Sequence, residues 1–189
     1  DNFFFFFPDW KYLPGYLHYD TNYLLICDNL LDFSHLSFVH EKTLGGSTAI
    51  ALARPEIEAV PHGIRVSRRV PDVSAPRYYQ KMRAFDGNVE RWFVYDFVLP
   101  GTLLMQSGGR PMNDPPDDLS RAVQLHSCQT LTPETENTTH YFFQQSHMTL
   151  VGDESITRGI YEQLLVAFEE DRAMITAQAK NIAQNPSAP

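Results

Sequence analysis

The sequence predicts an α+β fold in which an antiparallel sheet packs against one long C-terminal helix. Between residues 64 and 145 several β-forming stretches are joined by turn-rich connections with no helical pattern between them, which favours antiparallel pairing. Over about 154–183, Ile160, Leu164, Phe168, Ile175 and Ala179 recur at three- and four-residue steps and form one apolar stripe of a helix. The chain has 189 residues, 43% hydrophobic and 20% charged, which suits one domain with a substantial core and is short for two.

In chain order, the run Phe3–Phe7 cannot turn all its rings one way as a strand, because alternate side chains face opposite sides. Both faces need cover, from this core or from another protein segment, and so apolar a start suggests a piece of something larger. Aromatic residues dominate 10–23, where Pro14-Gly15 signals a turn. Residues 23–28 read as a short strand or entry segment, 28–40 as helical, and Gly45-Gly46 as a loop or helix stop. Ile64, Val66 and Val70 then alternate with polar neighbours, and Pro71-Asp72 is expected to end that run. The stretch R-W-F-V-Y-D-F-V-L (91–99) is strongly β-forming and is closed by Pro100-Gly101. Strands over 102–106, 122–131 and 139–145 follow, with a loop dense in Gly, Pro and Asp at 108–118.

Several functional classes find no support. A formal charge of −8 argues against non-specific nucleic-acid binding and against an anionic membrane surface. No run is long enough to be a transmembrane helix, and the first residues lack the layout of a secretory signal, so the expected location is cytoplasmic. The two cysteines, Cys27 and Cys128, stand in unrelated contexts and are expected as reduced, buried thiols. Neither a nucleophile elbow, a P-loop nor a dinucleotide fingerprint is present. Glu134 and Glu136, in a Pro-containing turn, read as solvated loop charges.

The stretch D-N-L-L-D-F-S-H-L-S-F-V-H (28–40) carries the chemistry. His35 and His40 are five apart, about 140° of rotation on an unbroken helix, so convergence requires the helix to loosen or end between them. Asp32, three residues before His35, sharpens the case, because a metal-bound imidazole usually donates its second nitrogen to a carboxylate or carbonyl. Asp171 lies on the apolar stripe of the C-terminal helix, while Glu169, Glu170 and Arg172 fall elsewhere on its wheel. A charged Asp among core residues costs several kcal/mol unless it is paired or metal-bound. Two imidazoles and one carboxylate suit non-haem Fe(II) with open positions. Ordinary hydrogen-bonded histidines and a buried ion pair account for the same residues equally well. His18, His62, His126, His140 and His147 have no partner at ligand spacing; His126 and His140, on strands, read as core or pocket residues.

Three blocks, 28–40, L-T-P-E-T-E-N-T-T-H-Y-F-F (131–143) and F-E-E-D-R-A-M-I (168–175), in this order and separation, resemble the catalytic domain of Rieske non-haem iron oxygenases. The resemblance is closest to the branch of vanillate O-demethylase, dicamba monooxygenase and toluenesulfonate methyl-monooxygenase. It implies a helix-grip (START-like) fold, a curved antiparallel sheet wrapped around the long C-terminal helix and a ligand cavity. It further implies that His35, His40 and Asp171 ligate a mononuclear Fe(II), and that Asp32 bridges an iron-ligating histidine to the Rieske cluster of a neighbouring subunit, with Asn29 beside that path. Substrate contacts are expected from Leu103, Met105, Gln129, His140, Tyr161 and Leu165.

The implied reaction is monooxygenation, by O-demethylation or hydroxylation, of a small aromatic substrate with O2. Electrons would come from a ferredoxin or flavin reductase, within a homotrimer. Family members carry a two-iron two-sulfur cluster on C-x-H and C-x-x-H motifs in an N-terminal Rieske domain and continue past the Asp-bearing helix. This chain has neither motif, so 1–189 reads as the catalytic domain of a longer subunit. The rival expectation is a helix-grip domain that holds an apolar small molecule without chemistry.

Overall fold

The computed structural model describes residues 9–184; the expectation for Phe3–Phe7 lies outside them. Seven strands form one sheet in the order β1-β7-β6-β5-β4-β3-β2. They are β1 (Pro14–Tyr19), β2 (Glu56–Val60), β3 (Gly63–Val73), β4 (Val89–Val98), β5 (Thr102–Pro111), β6 (Val123–Thr135) and β7 (Thr138–His147). Every neighbouring pair is antiparallel. The helices are α1 (Tyr23–Leu31), α2 (Leu36–Val39), α3 (Thr48–Leu52), α4 (Arg77–Met82) and the long α5 (Glu154–Gln184). An antiparallel sheet wrapped around a long C-terminal helix is thus the architecture, as the sequence predicts.

Alternation sets which side of the sheet becomes core. Val89, Arg91, Phe93 and Tyr95 of β4, Val123, Leu125, Ser127, Gln129 and Leu131 of β6, and Thr139, Tyr141, Phe143, Gln145 and His147 of β7 are buried on one face. Helix α5 lies against that face through Ile160, Leu164, Phe168 and Ile175. Phe168 stacks edge-on against Tyr141 and Phe143, with centroids 5.3 and 4.8 Å away, and its carbonyl accepts a hydrogen bond from the Tyr19 hydroxyl at 3.0 Å. These contacts fix the rotation of α5, and so fix where Asp171 points.

Several elements differ from expectation. Residues 23–28 belong to α1, not to a strand: Asn22 caps it by accepting the Leu24 amide at 2.9 Å, and Ile26, Cys27 and Leu30 bury at helical spacing. Pro14-Gly15 opens β1 and is not a turn. Strand β3 runs through Pro71-Asp72 by way of a register shift between Val70 and Val73, with Asp72 at φ 57. Its partner β2 reaches only as far as Ser67, so Pro71 has no ladder bond to give on that side. Strand β5 extends to Pro111, which takes up the start of the expected loop, and β6 extends to Thr135, which places Glu134 on a strand. Cys27 is buried and Cys128 half-buried. Among the described residues no helix is long and apolar enough to cross a membrane.

Candidate metal centre

Asp32 organises the site locally. It ends α1, and its carboxylate accepts the Ser34 amide at 2.9 Å and the Ser34 hydroxyl at 2.6 Å, starting a tight 3-10 turn over Phe33–His35. Helix α2 follows, and His40 leaves it at φ −113, ψ 26. The 3-10 turn runs into α2 through helical His35 and Leu36, so the backbone leaves the helix only at Asp32 and at His40, and the two imidazoles come together with centroids 5.0 Å apart. Gly46 lets the following loop pass against this segment, because a Cβ there would run into the Leu36 carbonyl.

Each ring is held from behind. The His35 Nδ1–H donates to the backbone carbonyl of Asp32. Of the two expected kinds of partner it is the carbonyl, since the Asp32 side chain is occupied with Ser34. The His40 Nδ1–H donates to Glu170 Oε2 at 2.8 Å, and the Thr43 hydroxyl donates to that same oxygen at 2.8 Å. The Nε2 atoms are left facing Asp171: Nε2 of His40 lies 2.9 Å and Nε2 of His35 3.6 Å from Asp171 Oδ1. One ligand atom from each of the three residues falls within 4.8 Å of the others, the one such His, Cys, Asp and Glu group among the described residues.

The site is buried. His40 is 1% and Asp171 3% exposed. Burial opposes charge on both imidazoles; it prevails at His35, whose pKa falls, whereas bonding to Asp171 and Glu170 prevails at His40, whose pKa rises. Burial would raise the Asp32 pKa, but the two Ser34 bonds outweigh it and hold the carboxyl low. Asn29 donates to Asp171 Oδ1 at 3.3 Å, while its own carboxamide oxygen is buried without a partner. Two convergent imidazole nitrogens and a carboxylate are a donor set that fits a divalent transition metal such as Fe(II).

A cavity opens beside these groups, lined by His35, His40 and Asp171 with Phe33, Phe93, Tyr95, Phe168 and the polar side chains of Ser107, Gln129, Gln145 and Gln163. Of the expected substrate contacts, Met105 and Gln129 line it. Leu103 shares their sheet face but is sealed in the core at 0% exposure. Tyr161 and Leu165 pack against the core; the helix positions that reach the cavity are their neighbours Ile160 and Leu164, together with Gln163. His140 is corrected outright. It sits between inward-facing Thr139 and Tyr141, so it lies on the opposite face of the sheet, beside Tyr16 and Phe142. His126, likewise, alternates with inward-facing Leu125 and Ser127 and packs against Trp10.

Sequence reasoning missed Gln145, Gln163, Ser107 and Glu170. For Gln145 and Ser107 the signal was parity, since each is a polar residue in register with buried apolar ones. Glu170 gave no such signal.

Residues 19–189 match the family model described as the vanillate O-demethylase oxygenase C-terminal domain. The chain belongs to that family. Among curated relatives, the toluene-4-sulfonate monooxygenase system iron-sulfur subunit TsaM1 of Comamonas testosteroni is 39% identical over 188 residues, covering 96% of this chain and 54% of its own length. A vanillate O-demethylase oxygenase subunit of Pseudomonas sp. (strain ATCC 19151) is 28% identical over 200 residues, covering 96% of this chain and 57% of its own. The chain thus spans about half the length of the curated relatives it matches. The crystal structure of dicamba monooxygenase bound to 3,6-dichlorosalicylic acid superposes with a TM-score of 0.86 at 23% identity, over 97% of this chain and 54% of that one, which establishes the shared fold.

Proposed function

We propose that this member of the vanillate O-demethylase oxygenase C-terminal domain family is the catalytic domain of a Rieske-type aromatic oxygenase. The observation that carries the reading is the convergence of His35, His40 and Asp171 on a common point in the wall of a cavity lined by aromatic residues. Those three residues would hold a mononuclear Fe(II). When bound, the iron supplies activation of O2 for monooxygenation of a small aromatic substrate.

The chain's own residues do the rest. The Asp32 carbonyl and Glu170 hold the imidazoles by their Nδ1 atoms, so that both Nε2 atoms face inward. Phe33, Phe93, Tyr95 and Phe168 exclude water and offer ring faces to an aromatic substrate. Gln129 is fixed by the Tyr141 hydroxyl, which donates to its Oε1 at 2.8 Å, and by its own bond to Ser127 Oγ at 2.9 Å, and it orients a polar substituent. Asp32 stands at the surface next to His35, where the Rieske domain of a neighbouring subunit in a homotrimer would dock and deliver electrons drawn from a ferredoxin or flavin reductase. The relatives' names support this reading: one is called an iron-sulfur subunit, and others are oxygenase components acting on vanillate and dicamba.

Metal analysis of protein produced in iron-replete medium tests it. One iron per chain is expected, lost in His35→Ala, His40→Ala and Asp171→Ala; stoichiometric apolar ligand without iron would contradict it. In the full-length subunit, Asp32→Asn keeps an oxygen for the Ser34 cap, so iron content should stay normal while reduction of the iron by the cluster is blocked. Loss of iron in that variant would remove Asp32 from the electron path.

A further inference from the structure

The two imidazoles facing Asp171 are not backed alike. His35 donates its outer N–H to a neutral backbone carbonyl, whereas His40 donates to the carboxylate of Glu170. The His40 ring is clamped between consecutive residues of α5, with Nδ1 2.8 Å from Glu170 Oε2 and Nε2 2.9 Å from Asp171 Oδ1. Thr43 donates to the same Glu170 oxygen at 2.8 Å and so holds the carboxylate in line with the ring. A carboxylate can only accept, so when a metal takes the Nε2 lone pair the remaining ring proton stays on Nδ1, where Glu170 accepts it. An anionic partner also makes the imidazole a stronger donor than a carbonyl partner does.

We infer that Glu170 is a positioning residue of the metal centre, which fixes the ring orientation and tautomer of His40 and raises its donor strength. The inference rests on the metal-site reading above and adds to it a division of labour between the two histidines. His40, buried and backed by a carboxylate, is the tightly held ligand; His35, 16% exposed and backed by a carbonyl, is the weaker one. Glu170 is itself 35% exposed, so its removal leaves no sealed void in the core.

The test is competition for Fe(II) between the full chain and a chromophoric chelator, together with the visible spectrum of the Co(II)-substituted protein. Glu170→Ala should weaken Fe(II) binding by about 10–100-fold and shift the Co(II) bands. Glu170→Gln, which keeps an accepting oxygen but not the charge, should fall between that variant and wild type. Glu169→Ala is the control, since Glu169 pairs with Arg172 at 2.5 Å on another side of the helix, and it should change neither readout. Wild-type affinity and an unchanged Co(II) spectrum in Glu170→Ala would overturn the assignment. Should that variant fail to fold, Glu170→Gln decides, and equality with wild type in both readouts overturns it. If wild type itself binds no Fe(II), the metal-site reading falls as well, an outcome distinct from equal binding by wild type and variant.

Discussion

Among the described residues, two places bring a pair of imidazoles to a carboxylate, one on each side of the sheet. On the concave side are His35, His40 and Asp171; on the convex side His18 lies 2.8 Å and His140 3.8 Å from Glu134. The residue types are the same, yet the chemistry differs. On the convex side the side chains are 37%, 33% and 46% exposed, and the two histidines address different oxygens of Glu134. The other nitrogen of His140 already meets the Tyr16 hydroxyl at 2.9 Å. On the concave side the outer nitrogens are taken from behind, and both inner nitrogens face one oxygen in a largely buried pocket. What sets the candidate metal centre apart is therefore the disposition of the second nitrogens and the burial, not the inventory of His and Asp.

The largest contrast between the two clusters should be in iron content. His18→Ala with Glu134→Ala should leave the iron per chain unchanged, whereas any one of the three concave-side variants abolishes it; metal analysis of both sets compares them directly. Next in size is packing. Phe168→Ala, which removes a 6% exposed ring set against Tyr141 and Phe143, should cost about 3–5 kcal/mol in denaturant unfolding. Phe142→Ala, on the convex side and 49% exposed, should cost at most about 1 kcal/mol. Smaller still is the effect on substrate. Gln129→Leu should raise KM by about tenfold or more through loss of a buried hydrogen bond, while His140→Ala should leave it within about twofold. Equal effects at Gln129 and His140 would erase the distinction between the two faces.

Much of this was legible from the sequence where a local rule decides it. The strand 91–99 and the stripe of α5 follow periodicity, and Asp171 stood out because it interrupts that stripe. The convergence of His35 and His40 was not legible, because it depends on a 3-10 turn started by the Asp32 cap and on Gly46 admitting the next loop. His140 was misplaced because shifting the parity of β7 by one residue exchanges the two faces of the sheet. Tyr161 and Leu165 erred the same way on α5, where the next residue is about 100° around the wheel. Residues 23–28 read as a strand or entry segment, and the local signal for the start of α1 is its cap, Asn22. Glu170 could not have been found locally, since the ring it holds is 130 positions away in the chain.

The central claim, that His35, His40 and Asp171 share one metal ion, is tested most directly by anomalous diffraction at the iron edge from crystals grown with Fe(II). A single strong peak among His35 Nε2, His40 Nε2 and Asp171 Oδ1 is the predicted result. A peak at the His18–Glu134–His140 cluster, or none anywhere in iron-replete crystals, would contradict it.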